Sequence, residues 1–208
     1  MKHGTKTYFF DSGSFVKIAK LCCAASVILW VQCGYAAPVT YNLDPTHTYP
    51  SFEVDHFGGA SVWRGKFQKS SGVVVLDREA RSGRLEIKTE ISSVDIGNTD
   101  LDKKIVGPEI LDAKRYPVAA FKSSAIKFNG DQPVEVDGVI TLHGASRPLV
   151  ISIDSFKCYQ NPLYKREVCG IDGHAEFNRD DFGVDYSKNL GFRMFTRLKI
   201  QAEAIRAD

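Results

Sequence analysis

The chain has 208 residues, of which 43% are hydrophobic and 25% carry a formal charge. This length supports one well-packed domain and is short for two. Its 27 basic and 25 acidic residues give a net charge of only +2. Such a balance argues against a phosphate backbone or an anionic membrane surface as the main partner. We therefore predict no nucleic-acid partner.

The first 36 residues have the pattern of a secretory leader. Residues 21–31 form an apolar run, and residues 34–37 supply small side chains suited to signal peptidase. The run is too short to span a hydrocarbon core of about 30 Å comfortably, although a retained membrane anchor stays an alternative. We predict a cleaved signal peptide over residues 1–36 and an exported domain over residues 37–208. Four lysines precede the run: Lys2, Lys6, Lys17 and Lys20.

Removal of this leader changes both the charge and the cysteine count. The leader holds four basic residues and one acidic residue, which leaves 23 and 24 in the mature chain. Three of the five cysteines also lie in it, so only Cys158 and Cys169 remain. An even pair in an oxidising compartment indicates one disulfide. Since Asn161 and Pro162 supply a turn between the two, we predict that the bond links the strands of a hairpin.

Period-2 alternation dominates the mature chain and predicts strands. In residues 196–204, for example, every charged side chain falls on one face and every aliphatic one on the other. Eight or more one-faced strands with short connections favour an antiparallel barrel or sandwich. The candidate strands are 52–56, 65–67, 73–76, 85–91, 118–124, 134–142, 149–156, 168–177 and 196–204.

One segment, residues 98–116, breaks the alternation. Leu101 and Ile105 stand at helical spacing, and Gly107 then interrupts the pattern. Pro108 follows, which is well suited to the first position of a helix. We therefore predict one or two short helices lying over one end of the sheet structure.

Two histidines, His47 and His56, lie nine residues apart near the start of the mature chain. A zinc or iron site needs three or four converging ligands, and the mature chain has only two further histidines, His143 and His174. A strand would place His56 on the face of its apolar neighbours. We predict that His56 is buried and hydrogen-bonded and that the chain has no metal site and no catalytic residues. A metal-dependent or hydrolytic enzyme using His47 and His56 stays the alternative.

Five segments carry a resemblance that covers about residues 39–205. They are LDPTHTYPSFEVDHFG (43–58), WRGKF with SGVVVLD (63–77), ILDAKRYPVAAFKSS (110–124), DGVITLHGASRPL (137–149) and NRDDFG (178–183). In this order they resemble the YceI-like family. The sequence departs from the family pattern at Thr48, where Ser is usual, and at Tyr49 and Pro50, which look like two additional residues.

The resemblance implies an all-β fold, a lipocalin-like barrel of eight antiparallel strands, exported to the bacterial periplasm. It also implies an interior that holds a polyisoprenoid, a quinone or a similar apolar lipid as cargo, with no cofactor. A homodimer stays an open alternative for the oligomeric state. A non-lipid stress-response interaction module on the same barrel is a further alternative.

Alternation in the candidate strands places thirteen apolar side chains on the barrel's inner face, where they offer dispersion contacts and no array of polar groups. We predict that they bind the lipid and that the protein is not an enzyme. The alternative is a closed core in which they pack only against each other. The residues are Phe52, Val54, Phe67, Leu85, Ile87, Phe121, Ile140, Leu142, Ile151, Ile153, Phe177, Leu198 and Ile200.

Overall fold

A computed structural model of the protein describes Thr7 and residues 37–208. Apart from Thr7, the predicted signal peptide lies outside the described residues, and its cleavage stays a prediction. Residues 37–208 belong to a single compact unit. No helix within the described part of the chain is long and apolar enough to cross a membrane.

The described chain forms strands joined by short turns, with one α-helix, α1 (Thr99–Ile105), and three short 3-10 turns. All strand pairings are antiparallel. The strands are β1 (Val39–Leu43), β2 (Ser51–His56), β3 (Ser61–Phe67), β4 (Ser70–Asp77), β5 (Ser82–Glu90), β6 (Val94–Asp95), β7 (Val118–Asn129), β8 (Gln132–Leu142), β9 (Ala145–Asn161), β10 (Arg166–Asn178) and β11 (Phe195–Arg206).

In three cases two consecutive strands are the two halves of one longer, interrupted strand. A connection of residues 44–50 separates β1 from β2, residues 68–69 separate β3 from β4, and the 3-10 turn Ile91–Ser93 separates β5 from β6. Counted this way there are eight strands, and each pairs with its neighbours in sequence. The last strand, β11, pairs with β1 and β2, which closes the ring. The predicted eight-stranded antiparallel barrel is confirmed.

The barrel has two different ends. At the lower end the strands are joined by tight turns: residues 78–81, 130–131 and 162–165. The upper end carries longer segments, including α1 and the connection of residues 179–194 between β10 and β11. Most of the irregular backbone that joins the strands therefore lies at the upper end.

The helical segment contains one α-helix, which agrees with the prediction of one or two. Asn98 caps α1, its side-chain oxygen accepting hydrogen bonds from the backbone N–H groups of Asp100 and Leu101 at 3.1 and 3.2 Å. Beyond Gly107 the backbone N–H of Leu111 bonds back to the carbonyl of Ile105. Asp112 then adopts a positive φ of 42°. This conformation cannot continue a right-handed helix, so a series of turns replaces the second one.

The predicted disulfide is present in the β9–β10 hairpin. Cys158 and Cys169 lie directly opposite each other on the two strands, with an S–S distance of 2.03 Å. The turn begins at Pro162, and the Asn161 side chain accepts hydrogen bonds from the backbone N–H groups of Leu163 and Tyr164. The bond therefore links the hairpin near the lower end of the barrel.

Candidate ligand cavity

Small residues on the inner face leave room inside the barrel. Gly65 of β3 faces inward, and a Cβ there would lie 2.6 Å from Phe52 Cζ. At Gly72 of β4 a Cβ would lie 2.6 Å from the Cδ1 of Ile87. Phe52 and Ile87 therefore occupy volume that a larger residue at Gly65 or Gly72 would need. Ala119, Ala202 and Ala204 add further short side chains to the same wall.

The space that results is an apolar cavity of about 670 Å³. This volume lies within the range of ligand pockets, roughly 300–1,000 Å³, so the closed-core alternative does not describe this barrel. The structure places all thirteen predicted inner residues on the cavity wall, and their binding of a ligand stays a prediction. They are Phe52, Val54, Phe67, Leu85, Ile87, Phe121, Ile140, Leu142, Ile151, Ile153, Phe177, Leu198 and Ile200.

The floor of the cavity was missing from the sequence prediction. Tyr41, Leu76, Cys169 and Ala204 pack together at the lower end, with Phe156 against them. The Tyr41 hydroxyl donates a 2.6 Å hydrogen bond to the carboxylate of Glu167. Burial of the ring, together with this neighbouring carboxylate, raises the pKa of Tyr41 to about 12. The Tyr41 ring thus helps to close the floor together with Phe156, while its hydroxyl is bonded to Glu167.

The mouth of the cavity lies at the upper end. Four residues of its lining are solvent-exposed, and all four belong to upper-end segments: Phe57, Lys104, Tyr186 and Leu190. Phe57 is 57% exposed and Leu190 59% exposed. The Lys104 ammonium forms an ion pair with Glu109 and lies 5.0 Å from the centre of the Tyr186 ring. The charged group at the mouth is therefore already neutralised within the protein.

Arg179 fixes the backbone beside the mouth. Its guanidinium donates 2.8 Å hydrogen bonds to the carbonyls of Val184 and Tyr186. Burial of the side chain lowers the pKa of Arg179 from its ordinary value. Because Val184 itself is buried, the irregular segment that follows β10 is held against the barrel. Arg179 lines the cavity, but its two bonded nitrogens serve the backbone.

His56 occupies this upper wall, and its environment differs from the prediction. The ring is half-buried, not buried, and its Nδ1 lies 3.4 Å from the Ser61 hydroxyl, a long contact. It stacks on Trp63 with ring centres 5.2 Å apart and meets Phe192 edge-on at 5.1 Å. The position at the end of β2 explains the exposure, because no further strand residue covers the ring. His56 thus belongs to an aromatic cluster beside the mouth.

His47 lies away from the cavity, in the connection between β1 and β2. Its Nδ1 is 2.8 Å from the Oδ2 atom of buried Asp44. The other carboxylate oxygen, Oδ1, accepts hydrogen bonds from the backbone N–H and the hydroxyl of Thr46. The hydrogen bond to Asp44 raises the pKa of His47. Burial opposes ionisation of Asp44, but the bonds from Thr46 and His47 outweigh it and lower the pKa of Asp44.

These contacts do not assemble a hydrolytic site. The Ser51 hydroxyl donates a hydrogen bond to the carbonyl of Tyr49 at 3.3 Å. From Ser51 to His56 the strand alone extends about 17 Å, at roughly 3.4 Å per residue. Within the described residues no three His, Cys, Asp or Glu side chains are grouped so as to hold a metal ion. The geometry brings His47 and His56 neither to one site nor to a common partner.

The Asn98, Asp100 and Asp102 side chains at α1 also have structural partners. Asn98 caps the helix, and Asp102 accepts a 2.9 Å hydrogen bond from the backbone N–H of Ile96. Asp100 pairs with Lys103 at 3.2 Å. These side chains therefore stabilise the beginning of α1, where the acidic ones also interact favourably with the helix dipole.

A closed, up-and-down barrel of eight antiparallel strands around one apolar cavity defines the lipocalin-like class of protein. Within that class, the family described as the YceI-like domain matches residues 41–204 of this chain. The chain belongs to the YceI-like family.

Relatives match over most of their length. A UPF0312 protein of Vibrio cholerae is 26% identical over 183 residues, which cover 88% of this chain and 94% of that protein. The crystal structure of Burkholderia cenocepacia BcnA superimposes with a TM-score of 0.65 at 23% identity, covering 77% of this chain and 98% of that one. A polyisoprenoid binding domain from Saccharophagus degradans, implicated in plant cell wall breakdown, gives 0.60 at 13% identity, with coverage of 81% and 99%. At these identities the two structures establish the shared fold.

Proposed function

We propose that this protein binds a long, slender apolar lipid, of the polyisoprenoid type, inside its barrel and carries or sequesters it after export. The observation that supports this most directly is the cavity of about 670 Å³, whose wall is built from aliphatic and aromatic side chains. A site of this shape recognises a chain by contact area and dryness, with little hydrogen bonding. A quinone, which combines an isoprenoid tail with a small head, belongs to the same ligand class.

The size of the hydrophobic effect makes such binding feasible. Each buried CH₂ group contributes about 0.8 kcal/mol, so about 15 buried carbons contribute roughly 12 kcal/mol. Association costs about 4–15 kcal/mol in lost freedom of motion. Affinity therefore depends strongly on how much of the chain is buried. The double bonds of an isoprenoid reduce the torsional freedom that is lost on entry, which favours it over a saturated chain of equal length.

The Saccharophagus degradans domain is named for polyisoprenoid binding and shares this fold, which supports the choice of cargo class. The leader pattern in residues 1–36 supports export, and in a bacterium with two membranes the periplasm is the compartment where a carrier would shield a lipid from water. We propose a binding protein and not an enzyme, because the cavity offers dispersion contacts without grouped acid–base residues. A homodimer stays a prediction.

Native mass spectrometry of protein purified from the periplasm tests the proposal, followed by organic extraction of the bound material. The expected result is a noncovalent adduct that yields an isoprenoid or quinone on extraction. Elemental analysis on the same sample distinguishes the enzyme alternative, for which stoichiometric zinc or iron would be the sign. Protein that carries no lipid, and takes up none from vesicles containing isoprenoid lipids, would rule out the carrier function.

A further inference from the structure

Three exposed side chains at the mouth of the cavity form an apolar patch, which we call the rim patch: Phe57, Tyr186 and Leu190. Phe57 is 57% exposed, Leu190 59% and Tyr186 40%. All three also line the cavity. The apolar surface of the cavity therefore continues through the mouth to the outside of the protein. Single exposed apolar residues are normal, whereas contiguous apolar surface of this kind marks an interaction site.

The two loops that carry the rim patch are bonded to each other. The Asp55 carboxylate accepts hydrogen bonds from the backbone N–H groups of Gly58 and Arg193, at 2.8 and 2.9 Å. The Arg193 guanidinium donates a 2.9 Å hydrogen bond to the carbonyl of Gly58. Behind them the rings of Phe57 and Phe192 lie 4.7 Å apart, centre to centre. The patch is therefore held in one arrangement, which reduces the ordering cost of binding.

The charged groups beside the rim patch are already paired within the protein. The Lys104 ammonium forms an ion pair with Glu109, and the Lys188 ammonium lies 2.8 Å from a carboxylate oxygen of Asp180. A strongly charged partner would have to displace these pairs and would gain little by doing so. The rim patch thus favours an uncharged, apolar partner.

The size of the rim patch argues against a protein as that partner. Fully exposed side chains of this size present about 150–250 Å² each, so the exposed fractions leave about 300 Å² of accessible surface. A stable protein–protein interface buries about 800 Å² on each partner. Insertion into a lipid bilayer has no comparable minimum, because its strength scales with the apolar area that enters. Aromatic side chains with a polar end, such as that of Tyr186, are also enriched at the membrane–water boundary.

On the basis of the proposed lipid-binding function, we propose that the rim patch docks on the surface of a lipid bilayer. Phe57 and Leu190 enter the boundary between head groups and acyl chains, with Tyr186 beside them. The cavity then opens toward the acyl chains, so the lipid passes between bilayer and barrel without crossing water. Docking is driven by apolar contact and does not depend on anionic lipids.

Flotation with lipid vesicles tests this surface. Mature protein purified from the periplasm is mixed with vesicles of phosphatidylcholine, or with vesicles that also contain anionic phosphatidylglycerol. The variants are Phe57→Asn, Leu190→Ser and the two combined. Asparagine is chosen because residue 57 has a φ of 49°, a conformation that asparagine adopts readily. Leu163→Ser is the matched control, since Leu163 is 86% exposed but lies in a tight turn at the opposite end of the barrel.

We expect the parent to float with both kinds of vesicle to a similar extent. Each single rim variant should lower the vesicle partition coefficient about tenfold, because one large apolar side chain no longer enters the bilayer. The combined variant should not float, whereas Leu163→Ser should behave as the parent does. All variants should keep the melting temperature of the parent and its bound lipid, because the replaced side chains are largely exposed.

The docking surface is overturned, and lipid binding stands, if lipid-loaded parent does not float or floats only with anionic vesicles. Equal loss of flotation in Leu163→Ser has the same meaning. A parent dimer that the rim variants convert to monomers in analytical ultracentrifugation would assign the rim patch to a second copy instead. A parent that floats but neither carries nor takes up isoprenoid lipid overturns the lipid-binding function, and with it the transfer route proposed here.

Discussion

The ring of Phe121 on β7 lies flat against Gly138 on β8. A Cβ built at position 138 would lie 2.4 Å from Phe121 Cζ and 2.6 Å from the backbone oxygen of Lys122. Real Cβ atoms do not approach other atoms so closely, so the phenyl ring occupies the volume that any side chain at 138 would need. The glycine thus makes room for the large side chain of Phe121 on the inner wall of the barrel.

Gly138→Ala should therefore destabilise the protein by about 1–3 kcal/mol, because the ring or the strand must shift. The matched control is Gly170→Ala on β10, where the nearest atom to a new Cβ is the flexible side chain of Glu203 at 3.3 Å. We expect the control to stay within about 0.5 kcal/mol of the parent. Urea denaturation measures both, and equal stability of the two variants would show that Phe121 is free to move away.

Filling the cavity should exclude the lipid at little cost in stability. Ile87→Phe and Ile200→Phe each add volume to a wall that faces empty space, so we expect changes in stability below about 1 kcal/mol together with loss of bound lipid. In a closed core the same substitutions would cost about 1–3 kcal/mol. Lys199→Gln, on the exposed outer face of the same strand, is the control and should alter neither property. Thermal melting and mass spectrometry of extracted lipid provide the two readouts.

The Cys158–Cys169 disulfide should contribute stability without determining the fold. The Cys158→Ser/Cys169→Ser double variant loses a crosslink across a sequence separation of 11 residues. A loop of this size corresponds to about 3 kcal/mol in the chain-entropy model, which we take as the upper end of the expected loss. The barrel should still form, because eight further register pairs join β9 to β10 in addition to the pair Cys158–Cys169. Two reactive thiols per native mature chain in a labelling assay would show that the bond does not form.

The Asp44–His47 pair should make stability depend on pH. The raised pKa of His47 means that the folded state binds the proton more tightly than the unfolded state, so this stabilisation is present below about pH 6.5. It is lost as the pH rises through the raised pKa of His47. The lowered pKa of Asp44 gives stabilisation that is present above about pH 3.8 and is lost on acidification below it.

His47→Gln should therefore be less stable than the parent near about pH 5 and should approach it by about pH 9. We expect a difference below about 1 kcal/mol, since the side chain of His47 is 51% exposed and its charge is screened by water. Denaturation curves recorded across this range measure the difference. If the two proteins show parallel pH profiles, the pair does not contribute.

Tyr41 should produce a second pH dependence, in alkali. Its pKa is raised from 10.0 to about 12, so above about pH 10 the unfolded state releases this proton while the folded state keeps it. The stabilisation from Tyr41 is complete below pH 10 and declines as the pH rises to about 12. Tyr41→Phe should be less stable than the parent by about 1–2 kcal/mol near neutral pH, and the gap should narrow in alkali. Glu167→Gln, which keeps an acceptor but removes the charge, should lower the folded-state pKa of Tyr41 and so make the alkaline loss of stability smaller.

Local pattern was sufficient for the parts of this fold that alternate strictly. In β11 the side chains of Arg197 and Lys199 face water while Leu198 and Ile200 face the cavity, and period-2 alternation alone predicts this arrangement. The bounds of longer strands were less accessible: β9 extends to Asn161, well beyond the predicted end at residue 156. Its lower part carries few apolar residues and is held by pairing with β10, which is a tertiary effect.

The floor and the mouth of the cavity could not be predicted from alternation along the chain. Within residues 43–58 we predicted an entry turn followed by the first strand, which was to begin at residue 52. In the structure β1 already begins at Val39. Although β1 alternates, it has only five residues and lies beside the predicted cleavage site. That is too short a stretch for alternation alone to predict a strand. Leu190 and Tyr186 belong to an irregular connection whose position depends on hydrogen bonds from Arg179.

The pairing of β11 with β1 and β2 has a consequence for how the chain folds. The first and last strands meet at Leu43 and Ala204, and the N–H of Ala207 donates a 2.8 Å hydrogen bond to the carbonyl of Thr40. All other neighbours in the ring are adjacent in sequence, so this seam requires the largest loop closure and is expected to form last. Until β11 pairs with β1 and β2, the sheet stays open and its inner face is in contact with water. The interior therefore becomes a separate compartment only when the final strand is in place, and no fragment that ends before residue 195 can enclose it.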